Sequence, residues 1–306
     1  MRSPVARSAT PDEFVLEAVP PEVERGEAGI EAAVERVAEL HAALGLDAVN
    51  IPEIHEEKAK SRQGERRRPF LPRVEPRVLA AHIQERLDIP CIINRVVVHL
   101  ERDRQLDWFR ETWEHYGIRR FVLVGGESSD KRYPGPSVPE ANTLLREHLA
   151  IPGGEVGNIC IPSRRGEVER LQHKLRSGAT FFTTQVLFHA EEITALLDAL
   201  GERMEEGTRA PAFLVSLAPV RSERNIRFLR WLGVSLSHEL EAWLTADEAA
   251  VTERSLSHLH ETWRHIVDHA ITRHSPCSLG VNIAPIGRIP SATTVALGRA
   301  LRDVTP

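Results

Sequence analysis

Eight short apolar runs, each followed by a stretch with helical spacing, constrain this chain more than any other feature. The runs are Phe14–Val19, Ala48–Ile51, Pro90–Val98, Phe121–Val124, Val156–Ile161, Phe181–Phe188, Ala212–Leu217 and Leu279–Ala284. They are rich in branched and aromatic residues with little polar alternation, as in strands buried on both faces of a parallel sheet. Between them, helices are expected over about Gly26–Leu44, Glu75–Leu87, Gln105–Tyr116, Ser137–Leu149, Glu167–Arg176, Glu191–Met204 and Asn225–Leu232, with Ser291–Arg302 closing the series. Two more helical stretches make an insertion over 235–270 before the last strand. Strand–helix alternation with short connections predicts a parallel sheet with right-handed crossovers. Eight units favour closure into a (β/α)8 TIM barrel over an open sheet. Residues 1–12 are expected to be disordered, and 13–306 to form a single barrel domain.

Composition narrows the function classes. A chain of 306 residues, 42% hydrophobic, can bury one large core. Its net charge of −5 supplies no basic field for nucleic acid. Cys91, Cys160 and Cys277 are scattered and outside CxxC spacing, which points to a reducing compartment and no structural zinc. No apolar run reaches the roughly 20 residues of a membrane span, and Met1–Thr10 lacks a signal-peptide core. A cytoplasmic protein is expected. GxGxxG after the first strand, GxxxxGK[ST] and HExxH are all absent, so neither common nucleotide fingerprint is present and no metal is expected. A small-molecule partner is expected, and a homo-oligomer is left open.

Polar interruptions of apolar strands carry the chemistry. They are Glu17, Asn94 or Arg95, and Gln185; Glu127 follows the fourth strand after Gly125-Gly126. In a closed barrel, residues at the C-terminal ends of different strands converge on one mouth. A carboxylate accepts two adjacent N–H donors, and a glutamine supplies one donor and one acceptor. A second carboxyl with a raised pKa can serve as a general acid. The long segment His55–Arg73, basic towards its end, reads either as a solvated loop or as a lid over the strand ends whose arginines meet an anionic ligand.

These residues resemble the methylenetetrahydrofolate reductase family from about Phe14 to Arg302. The family's first strand, F-E-F-F-P-P, is similar to Val15-Leu-Glu-Ala-Val-Pro-Pro21. Its L-R-G-D is similar to Leu123-Val-Gly-Gly-Glu127 with one extra residue, and its A-G-A-x-x-x-x-T-Q-x-x-F to Ser177-Gly-Ala-Thr-Phe-Phe-Thr-Thr-Gln-Val-Leu-Phe188. The resemblance implies Glu17 as general acid, Glu127 and Gln185 as substrate-binding residues, and a flavin, FAD, with Lys174 at its phosphates. Glu167 falls near a family acidic position. The chain departs from the family at several flavin contacts: the family arginine falls on Gly125, a histidine on Arg95, a tyrosine on Ile161 and a phenylalanine on Glu223. Arg95, Gly125, Glu167 and Lys174 are thus the expected cofactor-binding positions, and the substrate positions are the better kept.

The implied reaction reduces the methylene bridge of a tetrahydrofolate to a methyl group. Ring opening needs a proton on the departing nitrogen, a task for a carboxylic acid of raised pKa; Glu17, set in an apolar strand, suits it. Hydride comes from reduced FAD, or directly from NAD(P)H if flavin is absent. A non-catalytic barrel that binds folate or a methyl-transfer partner is the third reading, because fold likeness alone does not fix function.

Overall fold

The computed structural model describes residues 12–56, 60–61, 64–65, 70–126, 131–149, 151, 153–204 and 209–304. Glu127, most of the basic loop and all of the expected disordered start except Asp12 lie outside the described residues. Eight parallel strands close into a barrel: β1 (Phe14–Glu17), β2 (Ala48–Pro52), β3 (Cys91–Val96), β4 (Arg120–Val124), β5 (Glu155–Cys160), β6 (Phe181–Thr184), β7 (Ala212–Leu217) and β8 (Ser278–Ile283). Each strand pairs with its neighbours in sequence, and β8 closes onto β1 with Val281 opposite Phe14. The helices are α1 (Gly26–Leu44), α2 (Pro76–Leu87), α3 (Arg102–Tyr116), α4 (Val138–His148), α5 (Glu167–Ser177), α6 (Ala190–Gly201), α7 (Glu223–Trp231), α8 (His238–Thr245), α9 (Val251–Thr272) and α10 (Ser291–Arg302). The (β/α)8 barrel expected from the alternation is the fold found.

Strand periodicity of two divides the core. Phe14, Leu16, Val49, Ile51, Ile93, Phe121 and Phe213 point outward and pack under the helices. Val15, Ala48, Ile92, Val122, Phe181 and Leu214 point inward and fill the barrel. Gly157 makes room for this filling: a Cβ there would lie 2.4 Å from the Phe181 ring. Below them Arg120 pairs with Glu13 and Glu155 and lies 5.3 Å from the Phe181 ring centroid, closing the N-terminal end.

Two elements differ most from their sequence expectation. The sixth strand stops at Thr184 rather than Phe188. The backbone N of Gln185 still donates to Cys160 O at 2.7 Å, but the chain then leaves the sheet. The stretch 235–270 is not wholly an insertion. Its second helix, α9, lies between α6 and α10 and completes the outer ring before β8. It buries Leu259, Trp263, Ile266 and Ala270 along one stripe of 22 residues, which the nine-residue α7 is too short to match. The additional pieces are therefore α7 and α8. Within the basic loop, Lys60–Ser61 pairs antiparallel with Gly64–Glu65, and the second of these short segments rests against α7.

Candidate functional site

The strand register sorts the inward side chains into tiers of four drawn from alternate strands. The apolar tier Val15, Ile92, Gly157 and Leu214 forms the floor. Above it come Asn50, Val122, Thr183 and Asn282, and then Glu17, Asn94, Ile159 and Ser216. Pro52, Val124 and Ala284 stand at the rim, with Gln185 just past the end of β6. The mouth is thus two-sided. Strands β7, β8, β1, β2 and β3 give a polar wall, while Val122, Val124 and Ile159 of β4 and β5 face it with hydrocarbon.

Among the described residues, Glu17 is the one ionisable group on that wall. The Asn50 amide donates to its Oε2 at 3.3 Å, and the Asn282 side chain also bonds to it. Burial nevertheless dominates and pushes its carboxyl up to about 7, with the two amides pulling the other way. Near neutral pH the group exists in both protonation states, as a general acid requires. Asn282 also donates to Ser216 Oγ at 3.0 Å, which ties the wall together.

The wall leaves acceptors over. Asn50 Oδ1, Asn94 Oδ1 and Asn282 Oδ1 on the wall, and the Thr183 hydroxyl on the adjoining β6, are buried without a hydrogen-bond partner among the described residues. Buried polar atoms are normally paired, so several orphans on neighbouring inward positions of the barrel point to a donor-bearing molecule as their partner.

The structure brings some of the sequence candidates together and separates others. Glu17 and Gln185 share the mouth end of the barrel. The Gln185 amide donates to Leu232 O at 3.1 Å, tying the residue to the end of α7. Glu127 lies outside the described residues. Arg95 faces outward. The residue is 5% exposed, and its guanidinium is held by Glu53 and by Gln105 Oε1 at 3.2 and 3.3 Å, 4.2 Å from the Trp108 ring centroid. Glu167, 2% exposed, accepts from Ile161 N at 3.0 Å and Arg164 Nε at 2.7 Å. Lys174 Nζ donates to Ile159 O at 2.6 Å, and burial draws its ammonium below the usual lysine range. At Gly125 an added Cβ would only touch Val138 Cγ2 at 3.6 Å. Arg95 and Glu167 therefore offer a flavin almost no surface and are already engaged by protein groups, so these two positions do not fit a flavin cradle.

Asn50, Asn282 and Ser216 were not singled out by the sequence reading, and Asn94 only as an alternative to Arg95. A signal was present: an asparagine follows an apolar run inside three strands, at Val49-Asn50, Ile93-Asn94 and Val281-Asn282. Gly157-Asn158 places one in a fourth, but there the asparagine faces outward and pairs reciprocally with Asn142 at 2.9 and 3.0 Å.

No family model matches the sequence, nor does any curated protein. Among solved structures, the chain is similar to a Clostridium thermocellum protein that binds two copies of 5-methyl-5,6,7,8-tetrahydrofolic acid. The TM-score is 0.77 at 18% identity, covering 97% of each chain. The phosphoribosyl anthranilate isomerase of Thermococcus kodakaraensis gives 0.47 at 12% identity, over 95% of this chain and 99% of its own. The Xanthomonas albilineans dihydropteroate synthase, solved with 4-aminobenzoic acid, gives 0.48 at 15% identity, over 96% and 94%. At these identities what the chain shares with the Clostridium thermocellum protein is the barrel fold.

Proposed function

We propose that the barrel mouth binds a reduced folate and that Glu17 acts as the acid in reducing its methylene bridge to a methyl group. The observation that carries this reading is Glu17 itself: a carboxyl lifted to about 7 among amides whose oxygens await donors. The hydrocarbon wall of Val122, Val124 and Ile159 suits the flat face of a pterin, and the polar wall suits its N–H edge. The Clostridium thermocellum barrel that shares this fold binds a methylated tetrahydrofolate, which supports the same ligand class here.

In this reading protonated Glu17 gives its proton to the bridge nitrogen that departs. The bond from that nitrogen to the methylene carbon breaks, and an iminium forms on the other nitrogen. Hydride from an external donor then converts the methylene to methyl. A second reading, folate binding without reduction, is favoured by a different observation: Arg95 and Glu167 are already engaged by protein groups, so the expected flavin contacts are compromised.

The test is a visible spectrum of the purified protein, an NAD(P)H-oxidation assay with methylenetetrahydrofolate, and a titration with 5-methyltetrahydrofolate. Oxidation coupled to methyl formation supports the reductase. A flavin band near ~450 nm identifies the bound cofactor. Saturable folate binding without NAD(P)H oxidation selects the non-reducing reading. Absence of folate binding removes both.

A further inference from the structure

We propose that Asn94 determines ligand specificity at the mouth: its Oδ1 accepts an N–H from the heterocycle that lies against Glu17. The proposal rests on the folate reading and adds a recognition residue to it. Asn94 occupies the same tier as Glu17, two strands away, with Asn50 between them in the tier beneath. Strand parity points it into the barrel beside Ile92 and away from the helix layer that holds Arg95. Its side chain is 8% exposed, and its Oδ1 is buried with no partner among the described residues.

The neighbouring asparagines behave alike. Asn50 directs its amide N–H to Glu17, and Asn282 directs its own to Ser216 and Glu17, so each presents an oxygen with no partner among the described residues. A wall of orphan acceptors selects for a ligand edge rich in donors, because an ether or carbonyl placed there would leave both partners unpaired. A tetrahydropterin carries donors at its 2-amino group, N3 and N8, and so belongs to the class the wall selects. The opposite wall, Val122, Val124 and Ile159, is hydrocarbon and cannot compete for those donors.

A purely structural asparagine and a recognition asparagine respond differently to substitution. A structural one holds protein bonds, so its loss lowers the melting temperature. A recognition one has an unmet need in the free protein, so a shape-matched apolar replacement leaves stability unchanged or raises it while weakening the ligand. The experiment is calorimetric titration of 5-methyltetrahydrofolate, its 2-desamino analogue and its 8-deaza analogue into the full-length protein and Asn94→Leu. Tm is measured alongside, and Asn94→Ser serves in its place if the leucine variant fails to fold.

The expected result is saturable binding by the wild type, weakened roughly 5- to 30-fold in the variant, with no fall in Tm. At least one analogue should bind the wild type more weakly but lose nothing further in the variant, because the missing bond is then the same bond. Equal affinities of wild type and variant, or loss of affinity only alongside a fall in Tm, would overturn the proposal while leaving the folate reading intact. A wild type that binds none of the three compounds would overturn that reading and this proposal together.

Discussion

The proposed chemistry rests on one carboxyl, that of Glu17. Glu17→Gln should abolish methylene reduction with little loss of folate affinity, measured by the rate of methyl formation against a binding isotherm; near-normal turnover would take Glu17 out of the reaction. Its titration is also a stability statement. The carboxyl titrates at about 7 in the folded chain against an ordinary 4.5, so the folded state holds the proton more tightly. Its contribution is complete below pH 4.5 and is lost as the pH rises through about 7. At pH 8 the wild type carries a partly buried charge that Glu17→Gln lacks, and the variant should be more stable there by up to about 3 kcal/mol. Denaturant melts at pH 5 and pH 8 check this: the gap between variant and wild type should open with pH, and a constant gap would contradict the assigned titration. Glu17 was legible in the sequence because a carboxylate in Phe14-Val-Leu-Glu17 breaks an apolar run. The asparagines beside it were not, since an uncharged amide in a strand has two faces to choose from. Asn158 chooses the helix layer and Asn50 the barrel, and only the register tells them apart.

Connections at the C-terminal ends of the strands hold the mouth in shape. Glu53, just past β2, accepts from Val96 N at 2.8 Å and pairs with Arg95, binding β2, β3 and α3 into one unit through Gln105. Removing it leaves the Arg95 charge buried and unpaired, so Glu53→Ala should cost about 3–5 kcal/mol in a urea melt. A loss below about 1 kcal/mol would show that the pair is solvated. After β4 the chain re-enters helix at Ser137, whose N and Oγ both donate to Glu140 Oε2 at 2.7 Å. Ser137→Ala should lower stability by about 1 kcal/mol, as the loss of a helix cap does. This start, with Pro139 in the first turn, was readable from residue chemistry alone. The role of α9 was not. An amphipathic stripe states which face is buried but not against what, and only packing between α6 and α10 makes α9 a wall of the barrel.

The whole molecule is a closed barrel with a charged plug at one end and a polar, asymmetric mouth at the other. The count of alternating units made closure readable from the sequence, because each strand needed helices on one face and its neighbours' side chains on the other. No helix among the described residues is long and apolar enough to cross a membrane. The barrel interior is where the folate account stands or fails. Val124 lies at the rim on the hydrocarbon side, half-buried, so Val124→Trp would fill the mouth while leaving the polar wall in place. The decisive measurement is a titration of 5-methyltetrahydrofolate into the wild type and Val124→Trp, with Tm recorded for both. The account predicts saturable binding by the wild type and its loss in a variant that still melts cooperatively. Equal binding by the two proteins, or none by the wild type, would contradict it.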